Sequence, residues 1–349
     1  MEYKEQVEKT NILHLRELCK NLPAYAGDYF RGIEPRTASR TRIAYAYDLN
    51  IFFKYLTSEH PDFKDRETTD ITLSELEELS VTDLERFLEY VKYYKSTEDM
   101  EHMNGELAIK RKVASLKSFY NYFIRTERIQ KNPAALLQTP RLHDKNIIRL
   151  DPGEVADLLD QVESGDKLTD KQRAFHDKTA VRDLALITLL LGTGIRVSEC
   201  VGLNLQDYDE REGCIRVFRK GGKESTVYFG DEVMGAMEPY LDQRQHMTPA
   251  KGHEDALFLS LQMKRINVRS VENLVKKYTQ LVTNYKKITP HKLRSTYGTN
   301  LYQATGDIYL VADVLGHNDV NTTKKHYAAI DEDQRKLARN KVKLRDTED

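Results

Sequence analysis

Cysteine is scarce in this chain. Cys19, Cys200 and Cys214 are the three in 349 residues, too few and too widely spaced for a disulfide framework or a zinc site. Long apolar runs are missing as well. Mean hydropathy is -0.64, and no stretch approaches the roughly 20 apolar residues that a membrane-crossing helix needs. The first residues, Met1-Glu2-Tyr3-Lys4-Glu5, carry no apolar segment of signal-peptide type. A reduced, cytoplasmic chain with no membrane partner is expected. An excess of charge is also absent: 54 Lys and Arg face 55 Asp and Glu, a net charge of -1. As a sum this argues against a polyanionic partner, but the distribution argues the other way. Acids gather in Glu75-Leu76-Glu77-Glu78 and Glu98-Asp99-Met100-Glu101, bases from Lys110 to Arg149 and from Arg216 to Lys223. A segregated surface can hold nucleic acid on one side while the molecule stays neutral.

The length favours two domains over one core. Residues 1–36 read as an arm packing on the first domain, a helix with Ile12, Leu15, Leu18 and Leu22 on one face and then a Pro- and Gly-marked turn. Residues 37–57 place Tyr45, Leu49, Phe52 and Leu56 at helical spacing. A second helix, capped near Thr82-Asp83, turns Leu84, Phe87, Leu88 and Val91 inward, and an acidic loop follows at 96–105. In the next long helix Ile109, Val113, Leu116, Tyr120 and Phe123 form the buried stripe, leaving Lys110, Lys117 and Asn121 on another face. Those three residues suit phosphate contacts across a groove; by pattern alone a solvated face serves equally well. Asn132-Pro133 ends that region, and 140–150, with Arg141 and Lys145, is basic and aperiodic. The expected organisation is a helical domain at 37–139, a linker at 140–150 that lets two domains close around a duplex, a second domain at 151–330 and a charged tail helix at 331–349.

The second domain opens on a helix at Asp151-Pro152-Gly153-Glu154, followed by a polar insert from Glu163 to Thr179 read as a loop with some helix. An apolar helix from Leu184 to Leu191 ends at Gly192-Thr193-Gly194, and the next starts at Ile195-Arg196-Val197-Ser198-Glu199. An arginine at such a helix start can offer its fork to two phosphate oxygens, although a lone one is usually a surface ion pair. Two alternating runs, Ile215 to Lys220 and Lys223 to Phe229, flank Gly221-Gly222 and read as a β-hairpin with a tight turn. Near the C-terminus Thr289-Pro290-His291-Lys292-Leu293-Arg294 starts a helix, with Thr289 as cap and Pro290 in the first turn. It carries His291 and Arg294 on one face, two donors suited to an anion. Leu315-Gly316-His317 and then Tyr327 follow. A tyrosine hydroxyl is a poor nucleophile unless nearby cations stabilise the developing charge, so basic groups converging on a tyrosine suit attack on a phosphodiester. Taken singly, His291, Arg294 and His317 serve equally well as structural residues.

The order of these motifs resembles the tyrosine recombinase (phage integrase) family: an early Arg, a hairpin Lys, His-x-x-Arg, a Leu-Gly-His turn and a final Tyr. Here they are Arg196, Lys220, His291 and Arg294, His317 and Tyr327, and Thr41, Tyr45, Asp48, Leu49 and Phe52 match the family's opening helix. The resemblance implies a mainly α fold with a small β-sheet or hairpin, a two-domain DNA clamp made of a helical core-binding domain and a mixed α+β catalytic domain. It implies Tyr327 as nucleophile, Lys220 as general acid in preference to Lys223 or Arg219, and Arg196, Arg294, His291 and His317 around one phosphate, with Glu199 supporting them. It further implies DNA contacts from Lys110, Lys117, Asn121, Arg141 and Lys145, a 3′-phosphotyrosyl intermediate, and no cofactor or metal. The partners it implies are double-stranded DNA with inverted-repeat arms, a homotetramer on two DNA sites and a DNA translocase. Arg-Lys-Gly-Gly-Lys, Thr-Pro-His-Lys-Leu-Arg and the insert before Arg182 are most similar to the single-protein Xer recombinases of streptococci, whose job is chromosome dimer resolution in cell division. Tyr327 lies one residue further from His317 than in many Xer members, a spacing other integrases share, so integration, excision or inversion of a mobile element is the alternative. A type IB topoisomerase is less favoured because the motif is His-x-x-Arg and not Lys-x-x-Arg.

Overall fold

A computed structural model describes residues 3–95, 100–141, 148–219, 222–316 and 320. The chain divides into two compact units, 1–145 and 146–349.

The first unit is helical: α1 (Tyr3–Cys19), α2 (Ala24–Ile33), α3 (Ser39–Glu59), α4 (Leu73–Glu77), α5 (Val81–Tyr90) and α6 (Glu106–Arg125), with strands β1 (Tyr93–Lys95) and β2 (Glu101–Met103) before α6. The stripes of α3 and α6 are buried as their spacing predicts, Leu49, Phe52 and Leu56 against Val113, Leu116, Tyr120 and Phe123. The segment read as an arm supplies Leu15, Leu22, Ala26, Tyr29, Phe30 and Ile33 to that same core. Where a plain acidic loop was expected at 96–105, β2 pairs antiparallel with β1, placing Tyr94 opposite His102. The Tyr94 ring stacks on His102 at 4.9 Å and on Tyr90 at 5.5 Å, which holds so short a ladder together. The cap of α5 is Ser80 and not Thr82-Asp83: Ser80 Oγ accepts from the Asp83 N–H at 3.2 Å while the Asp83 carboxylate takes the Ser80 N–H at 2.9 Å. That reciprocal box outcompetes a cap two residues later.

The matched opening helix also has a structural role that its stripe conceals. Asp48, on α3, is 2% exposed and accepts from the fully buried Lys112 at 3.0 Å and from Arg111 at 2.9 Å, both on α6. Burying an isolated carboxylate is prohibitive, so the two cations allow it and lock α3 to α6.

The second unit runs α7 (Pro152–Ser164), α8 (Asp170–His176), α9 (Ala180–Thr193), α10 (Val197–Gly202), strands β3 (Tyr208–Asp209), β4 (Cys214–Phe218) and β5 (Glu224–Tyr228), then α11 (Asp231–Gln245), α12 (Val268–Thr279), α13 (Pro290–Thr305) and α14 (Ile308–Leu315). The polar insert is more ordered than expected: α7 continues to Ser164, and Thr169 caps α8 through a reciprocal box with Gln172. The expected hairpin forms, with Ile215 opposite Val227 and Phe218 opposite Glu224, one residue off the register that a two-residue Gly221-Gly222 turn would set, and β3 adds a third antiparallel strand. At its centre α9 buries Ala185, Leu186, Ile187, Leu189 and Leu190, with α7, α11 and α13 packed around it. No described helix is long and apolar enough to cross a membrane. The three cysteines are free thiols, and burial pushes that of Cys200 up to about 12.

The start of α9 is fixed by Asp183, fully buried at 0% exposure. Its carboxylate accepts from Arg182 Nη2 at 2.6 Å, Thr179 Oγ1 at 2.9 Å and the Tyr278 hydroxyl at 3.2 Å, with Lys277 Nζ at 3.7 Å. Asp183→Ala strands two cations and is expected to cost about 3–5 kcal/mol, lowering the Tm by roughly 10 °C. A thermal melt by circular dichroism checks this; an unchanged Tm would show the network contributes nothing to stability.

Candidate active site

Four carbonyls in a row, at the C-terminus of α14, organise the site. A helix end leaves its last carbonyl oxygens without intrahelical partners and carries partial negative charge, so it attracts cations. Gly316 ends α14 in the left-handed conformation, φ 62°, and the oxygens around it are taken by arginines. Arg219, at the end of β4, donates to Asp313 O at 3.2 Å and Val314 O at 2.7 Å. Arg294 donates to Leu315 O, and Arg196 Nη2 to Gly316 O at 3.3 Å. Three elements distant in sequence thus meet at one helix end.

Arg196 is the N-cap residue of α10, entered from the left-handed Gly194 at the end of α9. Its partner is Glu199, which is 9% exposed and accepts from the Arg196 backbone N–H at 2.8 Å and the guanidinium at 2.7 Å. Glu199 therefore holds both ends of Arg196. Arg294 is 4% exposed and also donates to Gly194 O at 2.6 Å, so α13 is fastened to the turn that presents Arg196. Pro290 occupies the first turn of α13 as expected, but Thr289 makes no side-chain cap. His291 is exposed in that first turn, one turn before Arg294.

Lys220, His317, Tyr327 and Lys145 lie outside the described residues. Of the other residues expected on DNA, Lys110 and Arg141 are exposed and Lys117 is half-buried. Asn121 is exposed and accepts from Asn132 Nδ2 at 2.8 Å, the residue that caps the short turn beginning at Pro133. The structure gathers Arg196, Glu199 and Arg294. It adds Arg219, which the sequence offered only as a substitute acid and which contacts the helix end instead. Its partners are 94 and 95 residues away in sequence, so no local signal could have revealed them. Among the described residues no cluster of three or more His, Cys, Asp or Glu could hold a metal ion.

Residues 149–334 match the sequence pattern of the phage integrase family. The chain is 35% identical over 328 residues to a protein named tyrosine recombinase XerC of Caldanaerobacter subterraneus, covering 91% of this chain and 85% of that one. It is 30% identical over 349 residues to tyrosine recombinase XerS of Streptococcus pyogenes, covering 90% and 94%. In structure it resembles XerH site-specific recombinase bound to a palindromic difH substrate, with TM-score 0.66 and 18% identity over 86% of this chain and 80% of that one. It also resembles the Tn1549 transposon integrase, with TM-score 0.63 and 20% identity over 90% and 98%. With the family match over more than half of its length and a relative 35% identical along 91% of it, the chain belongs to the phage integrase family. Within that family it is a Xer-like tyrosine recombinase, a site-specific enzyme that breaks and rejoins DNA strands.

Proposed function

We propose that the protein resolves chromosome dimers by recombining two copies of one inverted-repeat DNA site in the cytoplasm. Tyr327 attacks the scissile phosphodiester: the tyrosyl oxygen–phosphorus bond forms, the bond from phosphorus to the 5′-oxygen breaks, and Lys220 gives that oxygen its proton. The free 5′-hydroxyl then attacks the partner strand's phosphotyrosyl bond and releases the tyrosine. Bond energy is conserved in the protein–DNA link, so no nucleotide is consumed. Arg196, Arg294, His291 and His317 neutralise the charge that grows on the phosphate, and electrostatic stabilisation of this kind carries most of the rate. Glu199 keeps Arg196 in place. Lys110, Lys117, Asn121, Arg141 and Lys145 contact the DNA backbone. Two exchanges on two duplexes require four protomers, a homotetramer, and a DNA translocase brings the sites together.

One observation carries this reading: Arg196 and Arg294, 98 residues apart in sequence, both donate to the end of α14, to Gly316 O and Leu315 O, just before His317 in the chain. Similarity to relatives named XerC and XerS along most of the chain supports the Xer assignment. The test is to mix the protein with sheared DNA from its own host in moderate salt and sequence what is retained. Moderate salt matters because phosphate binding alone falls steeply as salt rises and hides specificity. Enrichment of a short inverted repeat near the replication terminus is expected. Enrichment at the ends of a mobile element would replace dimer resolution with integration, and no enrichment would overturn site specificity.

A further inference from the structure

Arg219 is the described residue that links the hairpin to the rest of the site. It leaves β4 where the hairpin turns, with its backbone N–H bonded to Lys223 O at 2.8 Å across the turn. Its guanidinium reaches over to Asp313 O and Val314 O, as a fork bridging two carbonyls that a lysine could not span. The fit is close. A Cβ on Gly316 would lie 1.4 Å from Arg219 Nη1 and 2.3 Å from its Cζ, so glycine is required there both for φ and for the guanidinium's seat. Arg219 Nε is buried with no hydrogen-bond partner among the described residues, so only the Nη edge is held. Burial pulls the guanidinium's pKa below its ordinary value, and the nearby Glu199 charge opposes that shift. This is a desolvated contact, not a surface ion pair.

We propose that Arg219 is a positioning residue for strand cleavage: by fastening the tip of the hairpin to the end of α14, it delivers Lys220, the next residue, to the same phosphate as His317, which follows Gly316. The proposal rests on Lys220 being the acid that protonates the leaving 5′-oxygen. With the fork removed, the hairpin keeps its strands but loses its registration against α14. A displacement of about 1 Å is enough to cost on the order of 100-fold.

The test compares two suicide duplexes in a single-turnover cleavage assay, one with the ordinary bridging 5′-oxygen at the scissile position and one with sulfur there. A thiolate leaves without a proton, so sulfur removes the need for an acid and a loss confined to the acid step disappears. Lys220→Ala is expected to slow the oxygen substrate about 100- to 10,000-fold and to recover on sulfur. Arg219→Ala is expected to slow oxygen cleavage about 100-fold and likewise recover on sulfur, with Arg219→Lys intermediate because one ammonium cannot bridge both carbonyls. Recovery on sulfur also shows that the variant is folded. Equal slowing of Arg219→Ala on both substrates, or no slowing on oxygen, would overturn the positioning role while leaving Lys220 as acid. A Lys220→Ala protein that fails to recover on sulfur would remove the acid assignment and this proposal together.

Discussion

Arg196→Ala is expected to slow strand cleavage about 100- to 1000-fold, the usual cost of one donor to a developing oxyanion, with only a modest fall in Tm. Arg294→Ala is expected to lose a similar factor in cleavage and a much larger share of stability. The difference follows from burial. The Arg196 side chain is 37% exposed, and Glu199 keeps the Arg196 backbone N–H as a partner when the guanidinium is gone. Arg294 is 4% exposed and satisfies Gly194 O and Leu315 O. Truncating it orphans two buried carbonyls at about 1–3 kcal/mol each and unfastens α13 from the turn carrying Arg196. Single-turnover cleavage and a thermal melt, run on both variants, separate the two roles. Normal cleavage by Arg196→Ala would remove that residue from the phosphate. A destabilised Arg294→Ala protein that cleaves normally at low temperature would reduce Arg294 to an anchor.

Tyr327→Phe is expected to abolish covalent protein–DNA complexes completely while leaving binding to a specific duplex unchanged. A phenyl ring keeps the shape and the packing and lacks only the attacking oxygen. Tyrosines earlier in the unit are poor substitutes. Burial raises the Tyr278 hydroxyl well above its ordinary pKa, with Asp183 adding to the shift, and burial also raises that of Tyr297. Tyr302 is 8% exposed on α13, and Tyr309 is 71% exposed but lies on α14, before the helix end where the arginines gather. Tyr302→Phe and Tyr309→Phe should therefore cleave normally. The readout is a gel that separates covalent from non-covalent complexes after denaturation, beside a binding titration. Persistent covalent complexes in Tyr327→Phe would sink the nucleophile assignment.

Much of this site was legible because its signals are local. A glycine in the left-handed region ends α9 at Gly194 and α14 at Gly316, and Pro290 starts α13, each readable from a few consecutive residues. The stripes of α3 and α6 were legible for the same reason, since apolar spacing reports the buried face of a helix wherever it packs. What the chain order concealed is nonlocal. Lys112 reads as one more base on a basic helix, yet it is buried because Asp48, 64 residues earlier, accepts from it. Arg219 reads as a hairpin-tip charge, and only the return of α14 supplies its carbonyl partners. The β1–β2 hairpin escaped notice because its strands are three residues long, too short for alternation to register, and depend on stacking by Tyr90, Tyr94 and His102. Thr289 illustrates the converse, a residue in cap position whose side chain makes no cap bond.

Cleavage as proposed joins Tyr327 covalently to the 3′-phosphate of a cut DNA strand. Its most direct test is to trap that adduct on a suicide duplex, digest protein and DNA, and sequence the nucleotide-bearing peptide by mass spectrometry. The predicted result is a single peptide modified at Tyr327, with a free 5′-hydroxyl on the released strand. A modification on another residue, or a link to the 5′-phosphate, would contradict it.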